Sequence, residues 1–533
     1  MQKALLLISL LLFSAGMLFA AGQQEAEGPD VVKVLTWENM DPSYSVLGEQ
    51  PVIEYIEEEL DIDVQFQLFA HADRDTAISL VIAAGGEMPD LFPFAPEPGG
   101  VLEEKGVIIA WSDLMEAGKM PLTAAKLNLP KWAGVKKQIT DSDTGKIYGM
   151  PMLAWRKLSI WADLIRGDWL EALGLEVPTT VEEYRDVLRA FKTQDPNGNG
   201  IADENGWQCH LEGVRFLQMW KRMFGLPSPD YSLSSFDGGP YWSIVDSEEV
   251  VFAPVNERYK AMLEYLNSLW AEGLINQEQF NMTSPKAQTG MSDNTLGSFP
   301  HWPGAIPNYT ELVRQIEPNA FYIPIPYPID TRFVKPEERK IAFQGPVAQT
   351  WYLAKNGANT EAAVRLIDYV FGNEDVPFLL EFGVEGIHHE IGDDGFPVYI
   401  GKWAEMTEYS RMSALGTQVG RLPVENRAFT IAKKVDTDPI FTEYKKFLSQ
   451  VEEYMKPATF WARDMAQREA INEVMAAVKD YVDESTMKFI IGTKPFSEWD
   501  KYIATVEKEA GTKIDAALEV LQAFFDAQIK DSY

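Results

Sequence analysis

The sequence predicts an α/β protein of at least two lobes, with a large helical portion at its C-terminal end. Three observations carry that prediction. Period-two and helical patterns alternate in the first hundred residues, as strand, helix, strand, helix, strand. The chain of 533 residues is longer than one hydrophobic core usually supports. After Tyr148-Gly149-Met150-Pro151 the pattern changes and a second α/β unit begins.

The elements follow in order. Met1-Gln2-Lys3, an apolar run from Ala4 to Phe13 and a small-residue exit at Ala20-Ala21-Gly22 read as a secretory signal peptide over 1–21. The apolar run is short for a bilayer span. The acidic, Gly-containing 22–30 segment reads as a flexible tether. Val31–Thr36 is β-rich and ends at Trp37-Glu38-Asn39. A helix with acidic residues on its outer face is predicted over 52–60. Ile62, Val64, Phe66 and Leu68 then alternate with polar residues as a strand. A further helix over 75–84 closes on Gly85-Gly86, and a short strand over 91–94 follows. The order predicts a largely parallel sheet, in which ligands sit at the carboxyl ends of the strands.

In the second unit, Thr180 followed by Glu183 is a capping box. Tyr184, Val187, Leu188 and Phe191 form the buried stripe of the helix it opens, with Arg185, Arg189 and Lys192 toward water. Later, 321–328 is extended and broken by prolines, 343–353 reads as a strand, and 359–371 as a helix ended by Gly372. From Pro457 onward the chain is mostly helical. Ile514, Leu518, Leu521, Phe525 and Ile529 mark a terminal amphipathic helix.

Composition excludes some partners. A net charge of −33 argues against nucleic acid and anionic lipid, both polyanions. The single Cys209 rules out an internal disulfide framework and reads as a lone buried thiol. No Cys precedes it, so a lipid anchor at a mature N-terminus is not expected. The five histidines form no zinc motif, and no G-x-S-x-G or phosphate loop occurs. A pair of catalytic acids hides easily among 80 acidic residues, so a secreted glycosidase or lyase stays open.

The most informative stretch is Asp195-Pro196-Asn197-Gly198-Asn199-Gly200-Ile201-Ala202-Asp203-Glu204. Short oxygen-bearing side chains alternate with glycines, which is how a loop wraps a hard cation. Asp195, Asn197, Asn199 and the Ile201 carbonyl fit an EF-hand pattern, and Asp203 lies two further on. The usual bidentate Glu is replaced by Gly206, and Glu204 is the acid able to close the shell. The other reading is an Asx-rich turn whose oxygens serve its own backbone. Calcium is the expected ion, since magnesium resists so complete a protein shell.

Aromatics supply the other signal, with 15 Trp and 20 Tyr. Flat rings in a cleft bury the apolar faces of sugars, while polar groups fix the hydroxyls. Trp37, Trp155, Trp302 and Trp351 are the candidate stacking residues. Glu38, Asn39, Arg156, Gln349, Glu385 and His388 are the candidate polar contacts.

The stretch from Trp161 through Thr180, with the capped helix and the Asp-Pro-Asn-Gly-Asn-Gly loop, resembles the extracellular solute-binding proteins of ABC importers. The similar branch is the large LipO-like and alginate-binding group. Met88-Pro89-Asp90, Leu269–Ile275, Phe382–His388 and Phe489–Thr493 fit it as well. The resemblance implies a type II-like periplasmic-binding-protein fold: two α/β lobes, joined by crossing segments, that close on a solute. Lobe 1 is expected over 31–153 and 350–425, lobe 2 over 154–349 and 426–533. It also implies a structural Ca2+ held by Asp195, Asn197, Asn199, the Ile201 carbonyl, Asp203 and Glu204. The expected partners are an oligosaccharide and the transmembrane subunits of an ABC permease, with the receptor a monomer. Many relatives carry a lipidated Cys where this chain has Gly22, so a periplasmic or extracellular protein is expected, soluble or held by an uncleaved signal. A peptide-binding receptor of the same fold is the remaining alternative.

Overall fold

The structure is a computed structural model. It describes residues 29–37, 50–69, 74–93, 99–141, 144–153, 161–211, 213–227, 241–301, 303, 306–339, 341–343, 347–393, 395–406, 411, 414–416, 442–451, 455–457, 465–528 and 530. The expected signal peptide and nearly all of the tether lie outside the described residues. Among the described residues, no helix is long and apolar enough to cross a membrane.

Among the described residues a large hydrophobic core forms around each of two sheets, and a smaller cluster, with Leu35, Phe92 and Ala354, covers the other face of the first. The first sheet has six strands. Asp30–Trp37 lies between Ile62–Phe69 and Leu91–Pro93, parallel to both. Val347–Ala354 then runs antiparallel to Leu91–Pro93, to Ile108–Ile109 and to Met150–Leu153. The expected strand–helix alternation is present. Pro51–Leu60 has Pro at its first turn, where the missing N–H costs nothing, and buries Val52, Ile53 and Ile56. Arg74–Ala84 and Leu91–Pro93 follow. The sheet is mixed rather than largely parallel. The reason is topological: the returning strand enters at the carboxyl ends of the parallel strands and must run back against them.

The second sheet has four strands. Ala162–Arg166 is antiparallel to both Leu296–His301 and Tyr322–Ile325. Asn205–Trp207 runs parallel to Leu296–His301. Val181–Thr193 packs on this sheet. Its capping box is formed: Thr180 Oγ1 accepts from Glu183 N at 3.2 Å, and Glu183 Oε2 accepts from Thr180 N at 3.1 Å. Tyr184, Val187, Leu188 and Phe191 are all buried. Arg185 and Arg189 face water as expected, their side chains 36% and 41% exposed, and there also clamp Glu272, with Arg189 Nε 2.6 Å from it. These guanidiniums, Arg189 first, hold the Glu272 carboxyl below its ordinary value.

Met465–Ile491 and Trp499–Gln528 form an antiparallel helical hairpin on the second core. Phe489 meets Trp499 at 5.5 Å, and Tyr481 stacks on Tyr502 at 5.8 Å. This is the predicted helical C-terminal portion.

The cores divide the chain. Residues of the first come from 32–150 and 351–415. Those of the second come from 161–334 and 447–525. The chain therefore passes between them three times. On the second passage, Ile341–Phe343 pairs in parallel with Met455–Pro457.

Candidate functional site

The passages leave both sheets at equivalent edges. In the first sheet Trp37 pairs with Phe69, so the parallel strands end together. Leu153, where the chain leaves, pairs with Val347, where it returns, at that same edge. In the second sheet Ala162, where the chain arrives, pairs with His301, the last residue of its strand. Ile325 pairs with Asp163 and so ends there too. The carboxyl ends of the parallel strands in both sheets thus meet the segments that join the cores. That is where an open α/β sheet binds ligands, because strand ends and the loops beyond them expose backbone and side-chain polar groups.

At this edge of the second sheet an aromatic group has assembled. Trp161 stacks on His210 at 5.5 Å and 20°. His301 lies 5.7 Å from His210 and 5.9 Å from Trp161. Tyr309 meets His301 at 5.1 Å, its hydroxyl 3.3 Å from Nε2. Beneath them, Arg222 Nη1 donates to the Trp161 carbonyl and Nη2 to Asp163 Oδ2, each at 2.8 Å. Its guanidinium also lies 5.1 Å from the Tyr327 ring. Burial raises the Asp163 carboxyl while the Arg222 charge opposes the rise. Burial, with the nearby Arg215 charge, pushes the His210 imidazole down to about 4, so it is neutral at physiological pH. Cys209 is buried, and burial pushes its thiol up to about 12, which keeps it protonated and inert.

The candidates named from sequence fall in three groups. Glu38, Asn39, Trp155, Arg156 and Trp302 lie outside the described residues. Trp37 and Gln349 are placed by their backbones at the carboxyl edge of the first sheet, Gln349 paired with Met152. Trp351, Glu385 and His388 are fully described. Trp351 is wholly buried in the first core, and so is Leu353 two residues on. Strand alternation turns both inward, so Trp351 offers no face to a ligand. The His388 ring is buried; its Nδ1 accepts from Val384 N at 2.8 Å and its edge meets Trp403 at 4.8 Å. It holds its own turn together. Glu385 is exposed beside it. Trp161, His210, His301 and Tyr309 were not singled out from sequence. They come from separate segments and meet only when the sheet forms.

The Asp195–Glu204 loop sits at the opposite end of the second sheet. Asn197 Nδ2 donates to the Asn294 carbonyl at 3.2 Å, just before the Leu296–His301 strand. The six residues of that strand span roughly 20 Å. Asp195, Gly198 and Gly200 all have positive φ, 46°, 67° and 75°. Asp195 accepts from Asn199 N and Gly200 N, Asn197 Oδ1 from Asn199 N at 3.0 Å, and Asn199 Oδ1 from Ile201 N at 2.6 Å. Asn199 Nδ2 lies 3.3 Å from both Asp203 oxygens. Among the described residues no group of three or more His, Cys, Asp or Glu side chains is gathered for a metal.

One residue departs from this self-satisfied turn. Glu204 is only 2% exposed, and neither carboxylate oxygen has a hydrogen-bond partner. Burial raises its pKa, and the Asp203 and Asp195 charges add to the rise. A buried carboxylate without partners needs a proton or a cation. The loop's other oxygens, two carboxylates, two amide oxygens and the Ile201 carbonyl, are of the kind a hard divalent ion takes, and in this structure those of Asp195, Asn197 and Asn199 accept from the loop's own backbone. Gly206 explains why the acid is at 204: a Cβ at 206 would stand 2.7 Å from the Leu274 carbonyl oxygen. No side chain fits where an EF-hand places its last ligand.

Two α/β lobes, joined by three passages at the carboxyl edges of their parallel strands, are the two-lobed architecture of a binding protein. More specifically, the chain belongs to the bacterial extracellular solute-binding proteins, whose family model matches residues 45–377. It is 24% identical over 384 residues to the polygalacturonan/rhamnogalacturonan-binding protein YtcQ of Bacillus subtilis, covering 69% of each chain. Among solved structures it resembles the alginate-binding protein AlgQ2 determined without calcium ion: TM-score 0.72, 17% identity, 94% of this chain and 99% of that one. It also resembles an EF-hand mutant of the substrate-binding protein FusA of a Streptococcus pneumoniae ABC transporter, in complex with fructo-nystose: TM-score 0.68, 19% identity, 93% and 99% covered. At these identities the two structures speak to the fold.

Proposed function

We propose that this protein is the exported receptor of an ABC-type sugar importer. It captures an oligosaccharide between its lobes and hands it to the transmembrane subunits of a permease. The observation that carries this is the meeting of both sheets' carboxyl edges at the three passages, in a family whose relatives include named saccharide-binding proteins. Lobe 1 is 31–153 with 347–425, and lobe 2 is 154–346 with 426–533; the second boundary falls three residues earlier than the sequence predicts, because Val347 and Gln349 pair with Leu153 and Met152 of the first sheet. Trp37 and Gln349, on strands that reach that edge, are proposed as its contacts together with Glu38, Asn39, Trp155, Arg156 and Trp302, which rest on the sequence alone. Ligand bridges the lobes and shifts an open–closed equilibrium by binding the closed state more tightly. The receptor acts as a monomer outside the cytoplasm and turns nothing over.

A structural Ca2+ completes lobe 2, held by Asp195, Asn197, Asn199, the Ile201 carbonyl, Asp203 and Glu204. A buried, unpartnered Glu204 supports this. The ion's role is to neutralise that acid and fix the turn; it lies too far from the passages to touch solute.

The test is incubation of pure protein with neutral and acidic oligosaccharides, following melting temperature and products together. A saturable rise in melting temperature with the sugar recovered intact is expected. Cleaved sugar would make the protein an enzyme, and a response only to peptides would make it a peptide receptor.

A further inference from the structure

We propose that His210, His301 and Tyr309, mounted on Trp161, form a saccharide subsite of the second lobe that reads ring hydroxyls through imidazole nitrogens and a phenol hydroxyl. The inference rests on the receptor function above and adds to it the side chains that do the binding. Three observations lead to it. His301 ends one of the parallel strands, and His210 stands three residues beyond the end of the other, at Trp207. That is the edge on which the first passage arrives, at Trp161. All three polar side chains are half-buried, so each keeps some surface open while its ring packs against neighbours.

The chemistry is that of hydroxyl recognition. A sugar hydroxyl both donates and accepts. A neutral imidazole and a phenol do the same, and neither demands a charge from the ligand. His210 is kept neutral by burial and by the positive charge of Arg215. Its Nδ1 is buried without a partner. Arg222, the cation directly below, is committed to Asp163, the Trp161 carbonyl and the Met219 carbonyl. It fixes the platform and is not the ligand's counter-ion. The Trp161–His210 stack gives the site a rigid flat wall, which lowers the ordering cost of binding.

Isothermal titration with fructo-oligosaccharides, human-milk-type neutral oligosaccharides and oligogalacturonides first identifies a binder for the wild type. If none binds, the receptor function itself fails for these sugars. With a binder in hand, His210→Gln, His301→Gln and Tyr309→Phe are titrated. At least tenfold weaker binding is expected for each histidine variant and a smaller loss for Tyr309→Phe. Melting temperature and its calcium dependence should be unchanged, which separates lost recognition from lost folding. Wild-type affinity in both histidine variants overturns the subsite while leaving the receptor standing. If a variant melts early, the fluorescence of Trp161 on sugar addition, read against Trp161→Phe, decides instead: a signal change lost in that variant supports the subsite, and an unchanged signal overturns it.

Discussion

Stripping divalent metal from the protein should lower its melting temperature, and Glu204 sets the size of the effect. With calcium bound, that buried carboxylate has a partner. Without it, both oxygens are buried and unpaired. Breaking a buried charge pair by removing one member costs about 3–5 kcal/mol. The second lobe has about 300 residues, and at an unfolding entropy of about 2.1 cal/mol/K per residue each kcal/mol moves the midpoint by about 1.6 °C. EDTA should therefore lower the transition of the second lobe by roughly 5–8 °C at pH 8. The pH dependence carries a sign. The folded, metal-free Glu204 has a raised pKa, from burial and from Asp203 and Asp195. A raised carboxyl favours the folded state at low pH and loses that advantage as pH rises through its folded value. The EDTA effect should thus shrink toward pH 4 and be full at pH 8. Glu204→Gln removes the charge, so its melting should respond little to EDTA at either pH. Scanning calorimetry with and without EDTA, beside elemental analysis of the purified protein, measures this. A wild-type curve unmoved at pH 8, in protein that contains no calcium as purified, would refute the metal site.

Two further outcomes follow from burial. Lys221 is fully buried with its Nζ on the Trp242 carbonyl at 2.9 Å, and burial pushes its pKa from 10.5 down to about 7. The unfolded chain then binds more protons than the folded one between these values, so stability rises with pH from 7; the full swing is on the order of 5 kcal/mol. Lys221→Met should stabilise the protein at pH 7 and flatten the rise between pH 7 and 9, where the Cys209 thiol does not yet interfere; chemical denaturation at several pH values reads it. Gly206→Glu, which would restore an EF-hand's last ligand, should instead destabilise the second lobe, because its Cβ would meet the Leu274 carbonyl oxygen and the Leu188 side chain. A melting temperature at or above wild type would show that the strand has room to move.

The fold was largely legible because its signals are local. Ile62 and Val64 alternate, Thr180 and Glu183 sit three apart, and Asn359 stands one residue before the Thr360–Gly372 helix that it caps. The mixed sheet was not legible, because strand direction depends on where a chain returns from the other lobe. The site was legible in outline only. Strand ends such as Trp37 could be placed on the carboxyl edge. Which tryptophan turns inward could not be, since alternation reveals two faces without naming the buried one; Trp351 shows the cost. His210 and His301 carry no local pattern at all. Their meaning comes from pairing Ala162 with His301 and from the stack on Trp161. The Asp195–Glu204 loop lies between these cases. Its oxygens are written in sequence, but the burial of Glu204 and the crowding at Gly206 emerge only from the fold.

Closure on a sugar is the central claim, and small-angle X-ray scattering tests it most directly. Titrating the calcium-loaded protein with an oligosaccharide that raises its melting temperature should shrink the radius of gyration to a plateau at one ligand per chain, with the sugar recovered intact. A radius unchanged at saturation, or a sugar recovered in pieces, would contradict a receptor that works by closing its lobes.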